Sequence, residues 1–209
     1  MRYADRAQAG RALARSLEHL RGRNPIVLGL PRGGVPVAEA VAHAMDADVD
    51  ILLVRKLGVP WQPELAAGAI GEGGVRVLNH SLLRAVGLSE SDLKPIALRE
   101  EAELKRRAAA FRRVKPPAVL EGRTVVIVDD GIATGATVLA AIEVARAKGA
   151  VYVAVATPVC APDSGRRVAA SADEFVAPYQ PHDMSGVGAA YRDFHQLSDS
   201  EVVKLLQKF

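Results

Sequence analysis

Cysteine is almost absent from this chain of 209 residues, which contains only Cys160. A single cysteine excludes an internal disulfide and a cysteine-rich metal site, and it is typical of proteins in a reducing compartment. No apolar run approaches the length that a membrane span needs, and the first residues lack the apolar centre of a signal peptide. We therefore expect a cytoplasmic protein without a membrane partner.

Aromatic side chains and an excess of charge are also scarce. Phe, Trp and Tyr make up 4% of the sequence, whereas hydrophobic residues make up 49%, so the core must consist mainly of aliphatic side chains and alanine. The 27 basic residues only just outnumber the 24 acidic ones, and so small a surplus does not indicate nucleic-acid binding. A few basic groups would suffice for the phosphates of a small molecule.

Short aliphatic runs alternate with helical patterns along the chain. Residues 26–30, 51–54, 124–128 and 151–157 each have the pattern of a buried strand, and residues 138–148 have that of a helix. The alternation predicts right-handed crossovers and an α/β fold, with a mostly parallel sheet flanked by helices on both faces. In such sheets, ligands bind beyond the carboxyl ends of the strands.

Two helices are predicted from polar patterns. Ser198 and Glu201 form a capping box ahead of a final amphipathic helix. Residues 89–113 are a charged helical segment in which Glu101 and Lys105 stand four positions apart, a spacing that supports an exposed helix. We interpret its charges as a solvated face rather than as a nucleic-acid patch.

The most informative segment is residues 125–137, where an aliphatic strand ends in Asp129 and Asp130 and a loop of small and hydroxyl residues leads into a helix. Free N–H groups and the dipole at a helix N-terminus form an anion site. The two carboxylates would repel a phosphate, so they should contact sugar hydroxyls or a hard divalent cation. A ribose 5-phosphate meets both demands. The loop residues assigned to it are Gly131, Ala133, Thr134, Gly135, Ala136 and Thr137.

A simpler interpretation of the same segment is an Asp-Asp-Gly turn with a capping carboxylate. Capping requires only one carboxylate and none of the hydroxyl residues that follow here. Two commoner phosphate motifs are excluded, because the loop has neither the lysine of a Walker A loop nor a G-x-G-x-x-G pattern. The phosphate-binding interpretation is therefore the stronger one.

Residues 125–137 resemble the motif for 5-phosphoribosyl 1-pyrophosphate (PRPP) in the type I phosphoribosyltransferases, where a hydrophobic strand, two acidic residues and a Thr-Gly-containing loop follow in this order. The resemblance implies an α/β core with a small hood and a helical insertion, Mg²⁺ bound by Asp129 and Asp130, and a homodimer. It also implies an enzyme that transfers phosphoribose to a nitrogen acceptor, a nucleobase, and releases pyrophosphate. A non-catalytic PRPP-sensing regulator and another PRPP-handling reaction are the alternatives.

Two further turns fit this resemblance. Arg32, Gly33 and Gly34 follow the first strand and resemble the family's pyrophosphate loop, where a guanidinium can hold phosphate oxygens in a bidentate manner. Lys56, at the end of the next strand, is a second candidate cation for the pyrophosphate, and Arg55 is its alternative. Each pattern taken alone also fits an ordinary exposed turn.

The acceptor and the proton transfer are less defined. Ala133 stands where members that use 6-oxopurines carry an acidic residue, so the loop does not identify the acceptor. Glu72, in the glycine-rich stretch 68–74, occupies the place of the family's mobile loop and is the candidate general acid or base. An exposed turn carboxylate is the alternative interpretation of Glu72.

The resemblance also suggests a division of the chain. Residues 1–60 and 118–160 would form the PRPP-binding core, and residues 61–117 a flexible loop with a helical insertion. Residues 161–209 would form the hood and a C-terminal helix. An aromatic side chain of this last segment could stack on a base, and Asp193 could read the edge of the base.

Overall fold

The computed structural model of the chain describes residues 3–208. The ends of the first and last predicted segments, Met1, Arg2 and Phe209, lie outside the described residues. The strands in chain order are β1 (Pro25–Gly29), β2 (Asp48–Ile51), β3 (Val54–Val59), β4 (Gln62–Gly71), β5 (Val75–Leu78), β6 (Thr124–Val128), β7 (Tyr152–Ala156) and β8 (Glu174–Val176).

Helices connect most of these strands. The α-helices are α1 (Arg6–Ala14), α2 (Gly34–Met45), α3 (His80–Ala85), α4 (Glu90–Phe111), α5 (Ala136–Ala147), α6 (Pro162–Ala169) and α7 (Asp199–Leu206), and 3-10 helices lie at Arg15–Arg23 and Val187–Ala190. Between residues 3 and 208, none of the helices combines the length and apolarity needed to cross a membrane.

Five strands form a parallel sheet in the order β2-β1-β6-β7-β8. The two neighbours β1 and β6 are buried along their whole length, because helices cover both faces of the sheet. Val27 of β1 packs with α1 and α2 on one face, whereas Ile26 packs with α5 on the other. The predicted α/β class with a mostly parallel, doubly covered sheet is confirmed.

One predicted strand is misplaced. The aliphatic run 51–54 does not form a strand; β2 ends at Ile51, and Val54 already begins β3 in another sheet. The apolar pattern did not indicate β2, because this strand contains two aspartates. One of them, Asp50, is buried and bonded to Arg112 through Oδ1 at 2.7 Å. A buried ion pair therefore replaced the apolar side chain that the pattern required.

A second, antiparallel sheet of β3, β4 and β5 adds a hood to the fold that is separate from the hood expected in residues 161–209. It packs on α4 and α5, and Gly71 of β4 lies directly against Val144 of α5. Residues 61–117, predicted as a loop with a helical insertion, thus contain two paired strands and two helices. Glycine and alanine in β4 concealed its strand character, since both residues are poor indicators of strands.

The C-terminal segment is shared between core and surface. β8 pairs with β7, so the parallel sheet includes residues beyond position 160. Residues 187–197 pack over the loop that follows β6, and α7 packs against α2 and α4. The division of the chain into core, insertion and hood segments, as drawn from the sequence, stays a prediction.

Candidate active site

Two loops meet at the carboxyl ends of the neighbouring strands β1 and β6. Residues 31–34 follow β1, and residues 129–135 follow β6. Gly33 lies against the carboxylate of Asp130, and Gly34 lies against the backbone carbonyl of Val128, so closely that a Cβ at either glycine would overlap these atoms. The parallel pairing of two strands far apart in sequence thus joins the predicted pyrophosphate loop to the predicted acidic pair.

The two carboxylates of the acidic pair are each bonded through one oxygen. Asp130 Oδ2 accepts a hydrogen bond from Arg6 Nε at 2.8 Å, and Asp129 Oδ1 accepts one from the backbone N–H of Asp130 at 2.9 Å. No donor in residues 3–208 reaches Asp129 Oδ2 or Asp130 Oδ1. One oxygen of each carboxylate is therefore free to accept a hydrogen bond from a ligand or to bind a cation.

Burial makes the negative charge of this pair unfavourable. Desolvation raises the pKa of Asp129 well above its usual range, and the neighbouring charge of Asp130 raises it further. Desolvation also raises the pKa of Asp130, and Arg6 partly opposes that rise. A cation or several hydroxyl donors at the free oxygens would stabilise the ionised carboxylates.

Magnesium fits this donor set. Within residues 3–208 no three His, Cys, Asp or Glu side chains cluster as a self-contained metal site. Mg²⁺ in phosphate-handling proteins commonly binds one or two carboxylates and completes its shell with waters and substrate phosphates. Asp129 and Asp130 therefore suit a Mg²⁺ ion that binds together with a phosphorylated ligand.

Arg6 and Tyr191 bind Asp130 of the acidic pair, and Phe194 packs against Arg6. The Arg6 guanidinium lies 4.0 Å from the centre of the Phe194 ring and donates through Nη1 to the His195 carbonyl at 3.0 Å. The Tyr191 hydroxyl donates to the backbone carbonyl of Asp130 at 2.5 Å. Sequence reasoning missed Arg6, because its partner lies 124 positions away and nothing local separates it from the other arginines.

The loop after the acidic pair ends at the N-terminus of α5. Gly135, at φ +76°, lies in the left-handed region that favours glycine, and it turns the chain into a helix of 12 residues. No acceptor in the described part of the chain binds the backbone N–H groups of residues 133–137, and the side chains of Thr134 and Thr137 are exposed. These donors at a helix N-terminus are suited to an anion.

A cavity of about 500 Å³ lies beside the two loops, and neither Asp129 nor Asp130 lines it. Pro31 of the first loop, Thr137 of α5, and Arg55 and Lys56 of β3 all line it. Another cavity of similar volume lies between α1, α2 and α7, but it contains no residue of either loop. The cavity beside Thr137 is therefore the candidate cavity for the part of a ligand that lies next to Pro31 and the start of α5.

The cations around this cavity are already paired with carboxylates. Lys56 Nζ lies 2.7 Å from Glu64 Oε1, and Arg55 Nε donates to Glu100 Oε2 at 2.7 Å. Arg32 lies in the neighbouring loop and does not line the cavity; it has a weaker partner, since its Nη1 lies 4.0 Å from Asp199 Oδ1. A bound anion would therefore compete with Glu64 for Lys56 and with Asp199 for Arg32.

Glu72, the predicted acid or base, lies in a separate ion-pair cluster. Its carboxylate accepts three hydrogen bonds from Arg112, at 2.7, 3.0 and 2.8 Å, and Arg112 also binds Asp50. In the structure of residues 3–208, Glu72 has no bond to either loop. Its role in proton transfer stays a prediction, which turnover by Glu72→Gln would test.

Comparison with known proteins agrees with this architecture. The model of the phosphoribosyl transferase domain matches residues 3–188. Proteins of Mycobacterium tuberculosis strains H37Rv and CDC 1551, which are named provisionally as phosphoribosyl transferases, are 52% identical over 206 residues, covering 99% of this chain and 46% of theirs. The chain thus spans about half the length of these curated relatives.

Solved structures show the same fold. The protein TT1426 from Thermus thermophilus is 45% identical, has a TM-score of 0.94, and matches over 100% of this chain and 99% of its own. A hypoxanthine-guanine phosphoribosyltransferase from Bacillus anthracis, at 15% identity, has a TM-score of 0.51 over 90% of this chain and 88% of its own, which supports the fold alone. The chain belongs to the phosphoribosyl transferase domain family and has the type I phosphoribosyltransferase fold.

Proposed function

We propose that this protein is a phosphoribosyltransferase that uses PRPP and Mg²⁺ to transfer phosphoribose to a nitrogen acceptor, a nucleobase, with release of pyrophosphate. The observation that carries the proposal is the direct contact of Gly33 and Gly34 with the Asp129–Asp130 loop at the N-terminus of α5. PRPP needs sites for a 5-phosphate, a ribose and a pyrophosphate that lie close enough together for one molecule to occupy all three. The two loops offer suitable groups for all three.

The 5-phosphate would bind to the loop 131–137. The unbonded N–H groups of residues 133–137 and the hydroxyls of Thr134 and Thr137 are its proposed donors. The free oxygens of Asp129 and Asp130 would accept hydrogen bonds from the ribose hydroxyls. Binding the phosphate, which does not react, supplies energy that orients the ribose carbon for transfer.

In the transfer itself, the bond between ribose C1 and the pyrophosphate oxygen breaks, and a bond from C1 to the acceptor nitrogen forms. The pyrophosphate leaves with the electron pair, and the acceptor nitrogen releases its proton to water. Positive charge develops on the ribose ring, where the carboxylates of Asp129 and Asp130 would stabilise it.

The leaving pyrophosphate gains negative charge during the same step. Arg32, Lys56 and the N–H group of Gly33 are its proposed donors. The Gly34 N–H already donates to the Leu30 carbonyl at 3.0 Å, so Gly34 would contribute close approach rather than a free donor. Asp129 and Asp130 would hold Mg²⁺, which neutralises charge on the pyrophosphate when it is bound. Lys56 would have to exchange Glu64 for the pyrophosphate, so its ion pair at 2.7 Å opposes binding of the leaving group.

The deciding experiment measures pyrophosphate release from PRPP and Mg²⁺ with a panel of nucleobases. We expect release with at least one base, and about a 100-fold loss of kcat/KM in Asp129→Asn, because the variant removes a charge that stabilises the transition state. Asp163→Asn is the matched control, since Asp163 is exposed on α6 and bonds Arg166. Removal of Mg²⁺ by EDTA should abolish release by the wild type.

PRPP binding can be followed separately through the fluorescence of Trp61, the single tryptophan of the chain. It is 64% exposed in the turn between β3 and β4, and its neighbours Pro60 and Pro63 line the candidate cavity. PRPP binding without turnover across the panel would favour the PRPP-sensing regulator. If neither Trp61 fluorescence nor calorimetry detects PRPP binding, the proposal itself is contradicted.

We also propose a cytoplasmic homodimer, as the resemblance to type I phosphoribosyltransferases implies. Light scattering of the purified protein should give twice the mass of 22.1 kDa. A monomeric mass at micromolar concentration would contradict the dimer and leave the proposed chemistry untouched.

A further inference from the structure

The back of the phosphate loop is bound by one short segment around α6. The carbonyl oxygens of residues 132–134 accept three successive hydrogen bonds: from the backbone N–H of Ala161 at 2.9 Å, from Ser164 Oγ at 2.6 Å and from Arg167 Nη2 at 2.8 Å. The three donors stand three positions apart and therefore share one side of the segment. Every carbonyl in this part of the loop is thus turned towards α6.

The orientation of these carbonyls also sets the orientation of the amides. In a planar trans peptide, the N–H points opposite to the carbonyl of the preceding residue. Among the described residues only the Pro31–Arg32 bond is cis, so the N–H groups of residues 133–135 point away from α6. These are the groups for which residues 3–208 supply no acceptor, and they are the proposed donors to the 5-phosphate.

Ser164 and Arg167 support each other behind the loop. Ser164 is buried, and its Oγ accepts a second hydrogen bond from Arg167 Nη2 at 3.1 Å while it donates to the Ala133 carbonyl. Gly165 brings α6 against Phe175, since a Cβ there would meet that ring at 3.1 Å. Neither Ser164 nor Arg167 lines the candidate cavity. Their hydrogen bonds to the loop go to its carbonyls.

We infer that Ser164 and Arg167 are positioning residues, which hold the amides of the phosphate loop in their binding orientation before the phosphate arrives. A loop that is already ordered loses less conformational freedom when it binds, so its affinity for a phosphate is higher. The assignment of the 5-phosphate as the ligand of this loop rests on the proposed function. The orientation of the amides is a property of the loop itself.

The test uses Ser164→Ala and Arg167→Ala with two separate probes, ribose 5-phosphate and pyrophosphate, measured by calorimetry. We expect each variant to raise the Kd for ribose 5-phosphate about three- to tenfold, the effect of losing its one hydrogen bond to the loop. Pyrophosphate affinity should stay at the wild-type value, since its proposed site is the loop 31–34. The KM for PRPP should rise while kcat is retained, and Arg167→Lys, which keeps a donor, should recover part of the affinity.

Arg166→Ala is the matched control, because it removes the same charge from the same helix at an exposed position where the guanidinium bonds Asp163. It should bind both probes as the wild type does. Wild-type binding of ribose 5-phosphate by both Ser164→Ala and Arg167→Ala would overturn the inference, and so would an equal loss of both probes, which indicates general unfolding. A wild-type protein that binds neither probe would instead refute the proposed function.

Discussion

Gly33 and Gly34 are needed for the space they leave rather than for an unusual backbone. Gly33 has φ −64° and ψ −34°, which any residue adopts. The Cβ of any other residue would overlap the carboxylate of Asp130, and at Gly34 it would overlap the carbonyl of Val128. The glycine pair therefore permits the contact on which the candidate site depends.

Gly33→Ala should weaken PRPP binding about tenfold or more, because overpacking of this kind costs about 1–3 kcal/mol and displaces Asp130 from Arg6. Calorimetry with PRPP provides the measurement. Gly22→Ala is the matched control, since nothing lies within 4 Å of a Cβ at Gly22. Equal PRPP affinities of the two variants would mean that the loops tolerate a wider separation.

The start of α7 has the capping box that its sequence predicts. Ser198 Oγ accepts a hydrogen bond from the Glu201 N–H at 3.3 Å, and Glu201 Oε2 accepts one from the Ser198 N–H at 2.8 Å. The backbone and side chain of Ser198, and then His195, lower the pKa of Glu201 from 4.5 to about 2. The ionised carboxylate therefore stabilises this helix end.

This low pKa predicts how stability changes in acid. A carboxylate whose pKa is lower in the folded state contributes its full stabilisation above pH 4.5 and loses it as the pH falls to about 2. Glu201→Gln should therefore be less stable than wild type at pH 7, and the difference should shrink between pH 4.5 and about 2. Thermal unfolding across this range measures it. Glu121→Gln, at an exposed loop position, is the control, and a difference independent of pH would contradict the assignment.

Arg112 connects the two sheets of the molecule. It binds Asp50 of β2 through Nη1, the Ile51 carbonyl at 3.1 Å through Nη2, and Glu72 at the end of β4. Asp50 Oδ2 also accepts the backbone N–H of Ala118 at 2.9 Å. This cluster anchors the antiparallel sheet and the end of α4 to the edge of the parallel sheet.

Arg112→Met should lower the free energy of unfolding by about 3–5 kcal/mol, because it leaves the buried Asp50 carboxylate without its cation. Denaturant unfolding followed by circular dichroism measures the change. Arg113→Met, which removes the neighbouring exposed arginine, should have little effect. If both variants lost a similar free energy of unfolding, the ion pairs of Arg112 would contribute no more stability than an exposed arginine does.

Features formed by neighbours along the chain could be predicted without the structure. The alternation of strands and helices gave the parallel sheet, the Ser198 pattern gave the start of α7, and residues 125–137 gave the acidic pair with its loop before α5. Each depends on periodicity or on turn chemistry within about one helix length. β2 escaped prediction because a tertiary ion pair satisfies its buried aspartate.

The sequence by itself identified the phosphate loop, the acidic pair and the glycine turn, since each of them is formed by contiguous residues. Only the tertiary structure decided what supports and surrounds them. Arg6 reaches Asp130 across 124 positions, Ser164 reaches Ala133 across 31, and Arg112 draws Glu72 into another cluster across 40. Such pairings depend on how strands and helices pack, so the side chains that orient the candidate site become visible only in the folded chain.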